Sequence, residues 1–352
     1  MKELTIGNNE AGQRLDKFLG KYMKQAPKSF FYKMLRKKNI TLNGKKATGK
    51  EILSLGDRVK LFLSDETIDK FSDVDAKQDG RDRTKGMNLD AGKLDIIYED
   101  AHTIFINKPA GMLSQKAKPE DVSLVEYLIA YLLDSGQLRQ EELRTFRPSV
   151  CNRLDRNTSG LVAAGKTLTA LQDLSAMFRE RSMKKYYLCL VKGTVRQARY
   201  IEGYLVKDEK TNRVSVSREP VKGAALVATE YRPLRQGRIF RKNGEADRSE
   251  WRAAEKTIDI TLMEVHLITG KTHQIRAHLA SSGHPLIGDY KYGDRQVNDI
   301  FCRKYGLKSQ LLHSYRLCMP FCRGELESLS GMEITAPLPE LFETICRDCG
   351  VM

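Results

Sequence analysis

The chain has 352 residues, 41% of them hydrophobic, with 60 Lys/Arg against 45 Asp/Glu and a formal net charge of +15. This composition excludes a disordered chain, and no apolar run approaches the ~20 residues needed to span a bilayer. Seven cysteines, an odd number, and a polar stretch at residues 1–10 without an apolar leader core argue against a disulfide framework and for a cytoplasmic protein, monomeric by default.

The positive charge is unevenly spread. Residues 1–66 hold 15 Lys/Arg and 7 Asp/Glu, and residues 28–50 hold eight Lys/Arg and no acid. So concentrated a patch is the electrostatic footprint of a nucleic-acid partner. In the same region Leu15, Phe18, Leu19 and Tyr22 recur at helical spacing. Ser29 is the expected N-cap of a second helix carrying Phe30, Phe31, Met34 and Leu35. Ile40-Thr41-Leu42 alternates as a strand before the hairpin signal Asn43-Gly44. Gly56-Asp57 marks a turn into a further strand at residues 59–63. A small α/β unit over residues 12–66 is expected. Residues 67–90, charged and poor in apolar side chains, read as a linker, and the main domain as 91–352.

Strands are expected at 94–98 and 103–107, ended by Lys108-Pro109-Ala110-Gly111. A helix follows at 122–133, a strand at 160–164, and a helix carrying Leu168, Leu171, Leu174 and Phe178. Further strands are expected at 184–191 and 258–268, then a short helix at 272–282. Strands with interspersed helices and no regular βαβ alternation predict an α+β fold with a mixed, largely antiparallel central sheet.

Three segments carry chemistry. In Asn152-Arg153-Leu154-Asp155-Arg156-Asn157-Thr158-Ser159-Gly160-Leu161 a carboxylate lies among arginines, hydroxyls and a glycine. Nearby positive charge stabilises the ionised form, which can act as nucleophile or base. Composition alone equally allows an Asx-turn in which Asp155 accepts from backbone amides. In Thr269-Gly270-Lys271-Thr272-His273-Gln274-Ile275-Arg276 a strand turns into a helix that Thr269 or Thr272 can cap. Lys271 and His273 at its N-terminus suit phosphate, and Arg276 is either a surface arginine or a half-buried bidentate partner for a carboxylate. In the strand at 184–191, Tyr187 shares a face with Cys189 and Val191 and Tyr186 faces away. A tyrosine near a carboxylate can stack on a base or move a proton, or it simply packs in the core. Cys318, Cys322, Cys346 and Cys349 lack a zinc-ribbon context, so no metal is expected. There is no phosphate-loop or dinucleotide fingerprint, so no cofactor is expected either.

Together, Arg153-Leu154-Asp155 with Thr158-Ser159-Gly160-Leu161, the strand with Tyr187, and the segment ending in Arg276 closely resemble the RluA-like family of pseudouridine synthases. Asn152 stands where that family usually has His, and Lys271 where Arg is frequent. Gly283-His284-Pro285-Leu286-Ile287-Gly288-Asp289 and Leu312-His313-Ser314 match further landmarks. Arg14-Leu15-Asp16-Lys17-Phe18-Leu19, Ile40-Thr41-Leu42-Asn43-Gly44 and Gly56-Asp57-Arg58-Val59 resemble the small RNA-binding domain named after the fourth small-subunit ribosomal protein. The resemblance implies cofactor-free isomerisation of uridine to pseudouridine in RNA, with large-subunit ribosomal RNA as substrate class. It implies Asp155 as the catalytic carboxylate, Arg276 as the cation that keeps it ionised, and Tyr187 as a stacking or proton-transfer residue. Arg153, Lys271 and His273 would hold RNA beside it, and Arg14, Lys33, Arg36, Lys37, Lys38 and Lys45 would hold it on the first domain. The competing reading is a non-catalytic RNA-binding or ribosome-assembly protein on the same fold, to which Asn152 is the one pointer.

Overall fold

The computed structural model describes residues 1–72, 94–208, 211, 213–240 and 257–352. The N-terminal unit begins with strand β1 (Lys2–Thr5), helices α1 (Leu15–Tyr22) and α2 (Lys28–Arg36), then strands β2 (Ile40–Leu42), β3 (Lys45–Lys46) and β4 (Arg58–Leu61) and helix α3 (Asp65–Phe71). Its sheet runs β1-β4-β2-β3. The helical spacing read from Leu15, Phe18, Leu19 and Tyr22 is the buried face of α1. Burying each such leucine contributes about 1.5–3 kcal/mol. Asn43 and Gly44 both take positive φ, 51° and 73°, as a two-residue hairpin turn requires.

Two elements extend this unit on either side of residues 12–66. β1 pairs with β4, and α3 buries Ile68 while Phe71 packs against Phe30 at 4.7 Å. The rest of the expected linker, residues 73–90, lies outside the described residues. Ser29 does not cap α2. Pro27 is the N-cap residue, at φ −66°, and no side chain bonds the helix start. The fixed φ of proline already sets the chain at the helix entrance.

The second unit comprises β5 (Ile96–Glu99), β6 (Thr103–Lys108), α4 (Leu124–Asp134), β7 (Ser149–Val150), β8 (Ser159–Gly165), α5 (Leu168–Glu180) and β9 (Lys184–Lys192). It continues with β10 (Arg199–Asp208), β11 (Arg213–Ser217), β12 (Ala225–Phe240), β13 (Thr257–Leu267), α6 (Gln274–Ser281) and α7 (Arg295–Tyr305). β14 (Leu312–Cys318), β15 (Glu333–Thr335) and α8 (Glu340–Asp348) complete it. Among the described residues the strands form an 11-stranded sheet with the path β11-β10-β12-β13-β9-β14-β8-β6-β5; β15 adds to β14 and β7 to β8. Every pairing is antiparallel except β14 with β8, so the fold is α+β with a mixed, largely antiparallel sheet.

Polar contacts join the two units. Thr145 Oγ1 donates to Glu10 at 2.6 Å, and the first amide of α5, on Leu168, donates to Asn9 Oδ1 at 2.8 Å. No helix among the described residues is long and apolar enough to cross a membrane.

Candidate active site

Asp155 lies on the turn that leads into β8, and both flanks of the turn are tethered. On one side the Ser114 hydroxyl donates to Leu154 O and accepts the Leu154 N–H, each at 3.0 Å. On the other, Gly111 N–H donates to Arg156 O at 2.8 Å. The buried Lys108, at the end of β6, donates to the carbonyls of Arg156, Pro109 and Met112. Three donors thus meet three acceptors, which is how a buried ammonium is tolerated. Burial pushes Lys108 down to about 8, while the charge of Asp155 pulls it back up. Thr158 N–H closes the turn on the Asp155 backbone carbonyl at 3.0 Å. Among the described residues no backbone amide donates to the Asp155 carboxylate, so its side chain is not tied up in an Asx-turn.

That carboxylate keeps 28% of its side chain exposed and faces two cationic or polar groups from the α6 segment. Arg276 Nη1 is 3.5 Å from Asp155 Oδ2, and His273 Nε2 is 3.9 Å from the same oxygen. The bidentate pair expected of Arg276 is made elsewhere. Its Nε and Nη2 donate to Asp289 Oδ2 and Oδ1 at 2.7 and 2.9 Å. The fork therefore orients the arginine, and the third nitrogen is presented to Asp155.

Asp289 is fully buried. Burial alone would raise its pKa, but the hydrogen bonds and charge of Arg276 and the amides of Tyr292 and Lys291 outweigh it and hold the carboxyl below its ordinary value. Neither Thr269 nor Thr272 caps α6. Thr269 Oγ1 is committed to Ala228 N–H and to Gln274 Oε1, and that Gln274 oxygen also accepts Lys271 N–H. The N-cap residue is His273, in the left-handed region at φ 55°, ψ 17°. A histidine rarely sits there, and such strain gathers at functional positions. Burial lowers the His273 pKa; Asp155 opposes this, and Arg276 and Lys291 add to it.

Tyr187 is buried on β9, on the same face as Cys189 and Val191. Burial pushes its hydroxyl up to about 12; Ser314 pulls it back and the charge of Asp155 adds to the rise. Tyr186 faces the other way, stacked on His266 with centroids 4.8 Å apart, and Arg316 lies over its ring.

The expected site residues fall into groups. Asp155, Arg276 and His273 form one cluster, and Tyr187 lies within electrostatic reach of Asp155. Arg153 and Lys271 are exposed beside it on the turn and on the loop before α6. Lys33, Arg36, Lys37, Lys38 and Lys45 are exposed on α2, the loop after it and the β2–β3 hairpin of the other unit. Arg14 is paired there with Asp16 at 2.8 Å, and Asp16 also accepts from Tyr32. Lys108, Asp289 and Tyr292 were missed as site residues. The sequence signals for them were Lys108 before Pro109 at a strand end and the Gly288-Asp289 landmark.

Asn152 is pinned to β8, away from this cluster. It accepts Ala163 N–H at 2.8 Å and donates to Leu161 O at 3.2 Å. The four C-terminal cysteines do not gather: Cys346 and Cys349 belong to one core cluster and Cys322 to another.

Residues 102–281 match the family model described as RNA pseudouridylate synthase, and residues 13–59 match the S4 domain. Ribosomal large subunit pseudouridine synthase C of Vibrio vulnificus is 31% identical over 346 residues, covering 98% of this chain and 95% of that protein. Ribosomal large subunit pseudouridine synthase D of Nitrosomonas europaea is 29% identical over 320 residues, covering 90% and 79%. Human RNA pseudouridylate synthase domain containing 4 shares the fold, with a TM-score of 0.54 at 20% identity over 74% of this chain and 95% of that one.

Proposed function

This chain belongs to the RNA pseudouridylate synthase family, and we propose that it isomerises uridine to pseudouridine in large-subunit ribosomal RNA at Asp155. The observation that carries the reading is the partly exposed Asp155 carboxylate with Arg276 Nη1 at 3.5 Å from Oδ2. The isomerisation breaks the bond from the ribose to the uracil nitrogen, turns the base and joins ribose to carbon. A base stacked in a helix cannot turn, so the target is flipped out or unpaired. Asp155 is the reacting carboxylate, and the guanidinium of Arg276 stands beside it as its cationic partner. Tyr187 packs against the uracil or passes a proton, its raised pKa keeping the phenol protonated.

RNA is held at two places. The exposed Arg153 and Lys271 grip phosphates beside the reacting nucleotide, and His273 faces it. Residues 12–66 supply Arg14, Lys33, Arg36, Lys37, Lys38 and Lys45 for the flanking RNA, 67–90 join the units, and 91–352 carry the chemistry. Phosphate contacts position the RNA, and the catalytic cleft selects the base. A ribosomal RNA substrate supports a cytoplasmic protein, and the proposed site is built from residues of a single chain.

The test uses large-subunit ribosomal RNA labelled with tritium at uracil C5, the carbon that exchanges its hydrogen for the new glycosidic bond. Incubation with the protein is expected to release tritium and leave pseudouridine at defined positions. Tight binding with no release from authentic ribosomal RNA would instead favour a non-catalytic assembly protein.

A further inference from the structure

His273 reaches Asp155 through one ring nitrogen and a tyrosine through the other. Its Nδ1 lies 3.0 Å from the Tyr292 hydroxyl, and the rings meet edge to face at 67° with centroids 5.6 Å apart. The same hydroxyl oxygen accepts the backbone N–H of Val214, on β11, at 2.9 Å. Among the described residues these are the two hydrogen bonds of that phenol. Val214 N–H takes one lone pair of that oxygen, which leaves the single O–H proton of Tyr292 free to donate to Nδ1, and such a bond requires a lone pair there. A lone pair on Nδ1 leaves the ring proton of a neutral imidazole on Nε2.

Tyr292 is itself held in place. The guanidinium carbons of Arg213 and Arg276 lie 5.5 and 5.1 Å from its ring centroid, and its backbone N–H donates to Asp289 Oδ1 at 3.0 Å. Cations this close to Tyr292 and His273 also disfavour an imidazolium. The charged groups that bear on the ring are Asp155 and Asp289, opposed by Arg276 and Lys291.

We propose that Tyr292 is a positioning residue that fixes His273 as a neutral imidazole with its proton on Nε2, aimed at Asp155 Oδ2. The alternative tautomer would set a nitrogen lone pair against a carboxylate oxygen. An imidazolium would add a second full charge beside Arg276 and weaken Asp155 as a base or nucleophile. The neutral N–H avoids both. The 3.9 Å gap to Oδ2 closes when the nucleotide is bound, as catalytic hydrogen bonds commonly do. Arg276 and His273 then both hold the carboxylate beside the nucleotide. The left-handed backbone of His273 belongs to the same device, since it turns the ring between Tyr292 and Asp155. The inference rests on Asp155 being the reacting group, but the tautomer is measurable without turnover.

Imidazole nitrogen NMR of the full-length chain, with His273 assigned by its loss in His273→Asn, tests this directly. The wild type at pH 7 is expected to show an unprotonated Nδ1 and a protonated Nε2. Tyr292→Phe is expected to average the two tautomers. An Nδ1–H tautomer or an imidazolium in the wild type, or no change in Tyr292→Phe, overturns the proposal.

His273→Asn separates function from folding, because asparagine accepts positive φ well and is too short to reach Asp155. Its denaturation midpoint should match the wild type, while single-turnover pseudouridine formation falls about 10²-fold, the scale of removing one preorganised donor. An unchanged rate would overturn the role at Asp155. Tyr292→Phe is expected to lower kcat by about tenfold with KM within about twofold, as loss of orientation rather than binding. An effect on KM alone would reassign Tyr292 to RNA binding and overturn its positioning role. If the wild type releases no tritium from any ribosomal RNA, the catalytic reading fails, and the tautomer measurement still judges this one.

Discussion

Arg276 donates two nitrogens to Asp289 and presents the third to Asp155. A guanidinium anchored at two points cannot rotate away from its third contact. Asp289→Asn keeps the side-chain shape and removes the buried countercharge. It should lower stability by about 3 kcal/mol, since breaking a buried pair strands the remaining charge, and lower kcat more than KM. Urea midpoints and steady-state kinetics measure both; an unchanged midpoint with normal kcat contradicts the anchoring role. The sign of the pH effect follows from the depressed Asp289 carboxyl. Its stabilisation is present above the unfolded carboxylate value near 3.8 and is lost as pH falls through the lower folded one. Asp155 and Arg276 were legible from their motifs. The anchor of Arg276 was not, because Asp289 lies 13 residues from it and hydrophobic spacing carries no information about which acid a cation meets.

The active-site turn depends on how β8 starts. Gly160, at φ +112°, lies where β8 runs parallel to β14, and a Cβ there would sit 2.2 Å from Ser314 O. Gly160→Ala combines strained backbone with a backbone clash that no rotamer relieves, a cost of about 3 kcal/mol or more. Thermal denaturation should show a large drop, and the shift of β8 should misplace Asp155; near-native stability and turnover would contradict this packing. Elements with one strong period were readable: β6, β8, β9, β13 and the helices α1, α4 and α5. Strands β10 and β11 were not: β10 buries only Gly203 and Leu205 and mixes Arg199 and Lys207 into that same face, and β11 is only five residues long. β12 was hidden by Pro233, ordinarily a breaker, which the fold absorbs at a register shift between Pro233 and Arg235. The positive-φ start of α6 was unreadable because the capping preference of Thr269 and Thr272 points one way and tertiary bonds to Ala228 and Gln274 point the other.

Across the whole molecule, two fully buried histidines tie stability to pH. His278 and His313 are both pushed down to about 4 by burial, although the Ala336 backbone contact raises His313 slightly. An unfolded chain takes up these protons near 6.5 and the folded one does not, so the unfolded state gains as pH falls. The stabilisation is full above about 6.5 and declines toward pH 4. Urea midpoints should hold from pH 7.5 to about 6.5 and fall from there to pH 4.5; a flat profile below pH 6.5 would contradict the burial of both rings as neutral groups. The basic character of the N-terminal unit and the order of the three motifs in the larger one were legible from the sequence. The contacts of Glu10 with Thr145 and Asn9 with α5 that join the two are single polar pairs and leave no pattern in sequence. One carboxylate, that of Asp155, is proposed to carry the isomerisation while the rest of the molecule binds and presents RNA. Asp155→Asn tests it most directly, through single-turnover tritium release and RNA affinity measured on the same preparation. No detectable release is expected, with affinity and denaturation midpoint near wild type; retained release in that variant would contradict the assignment of Asp155.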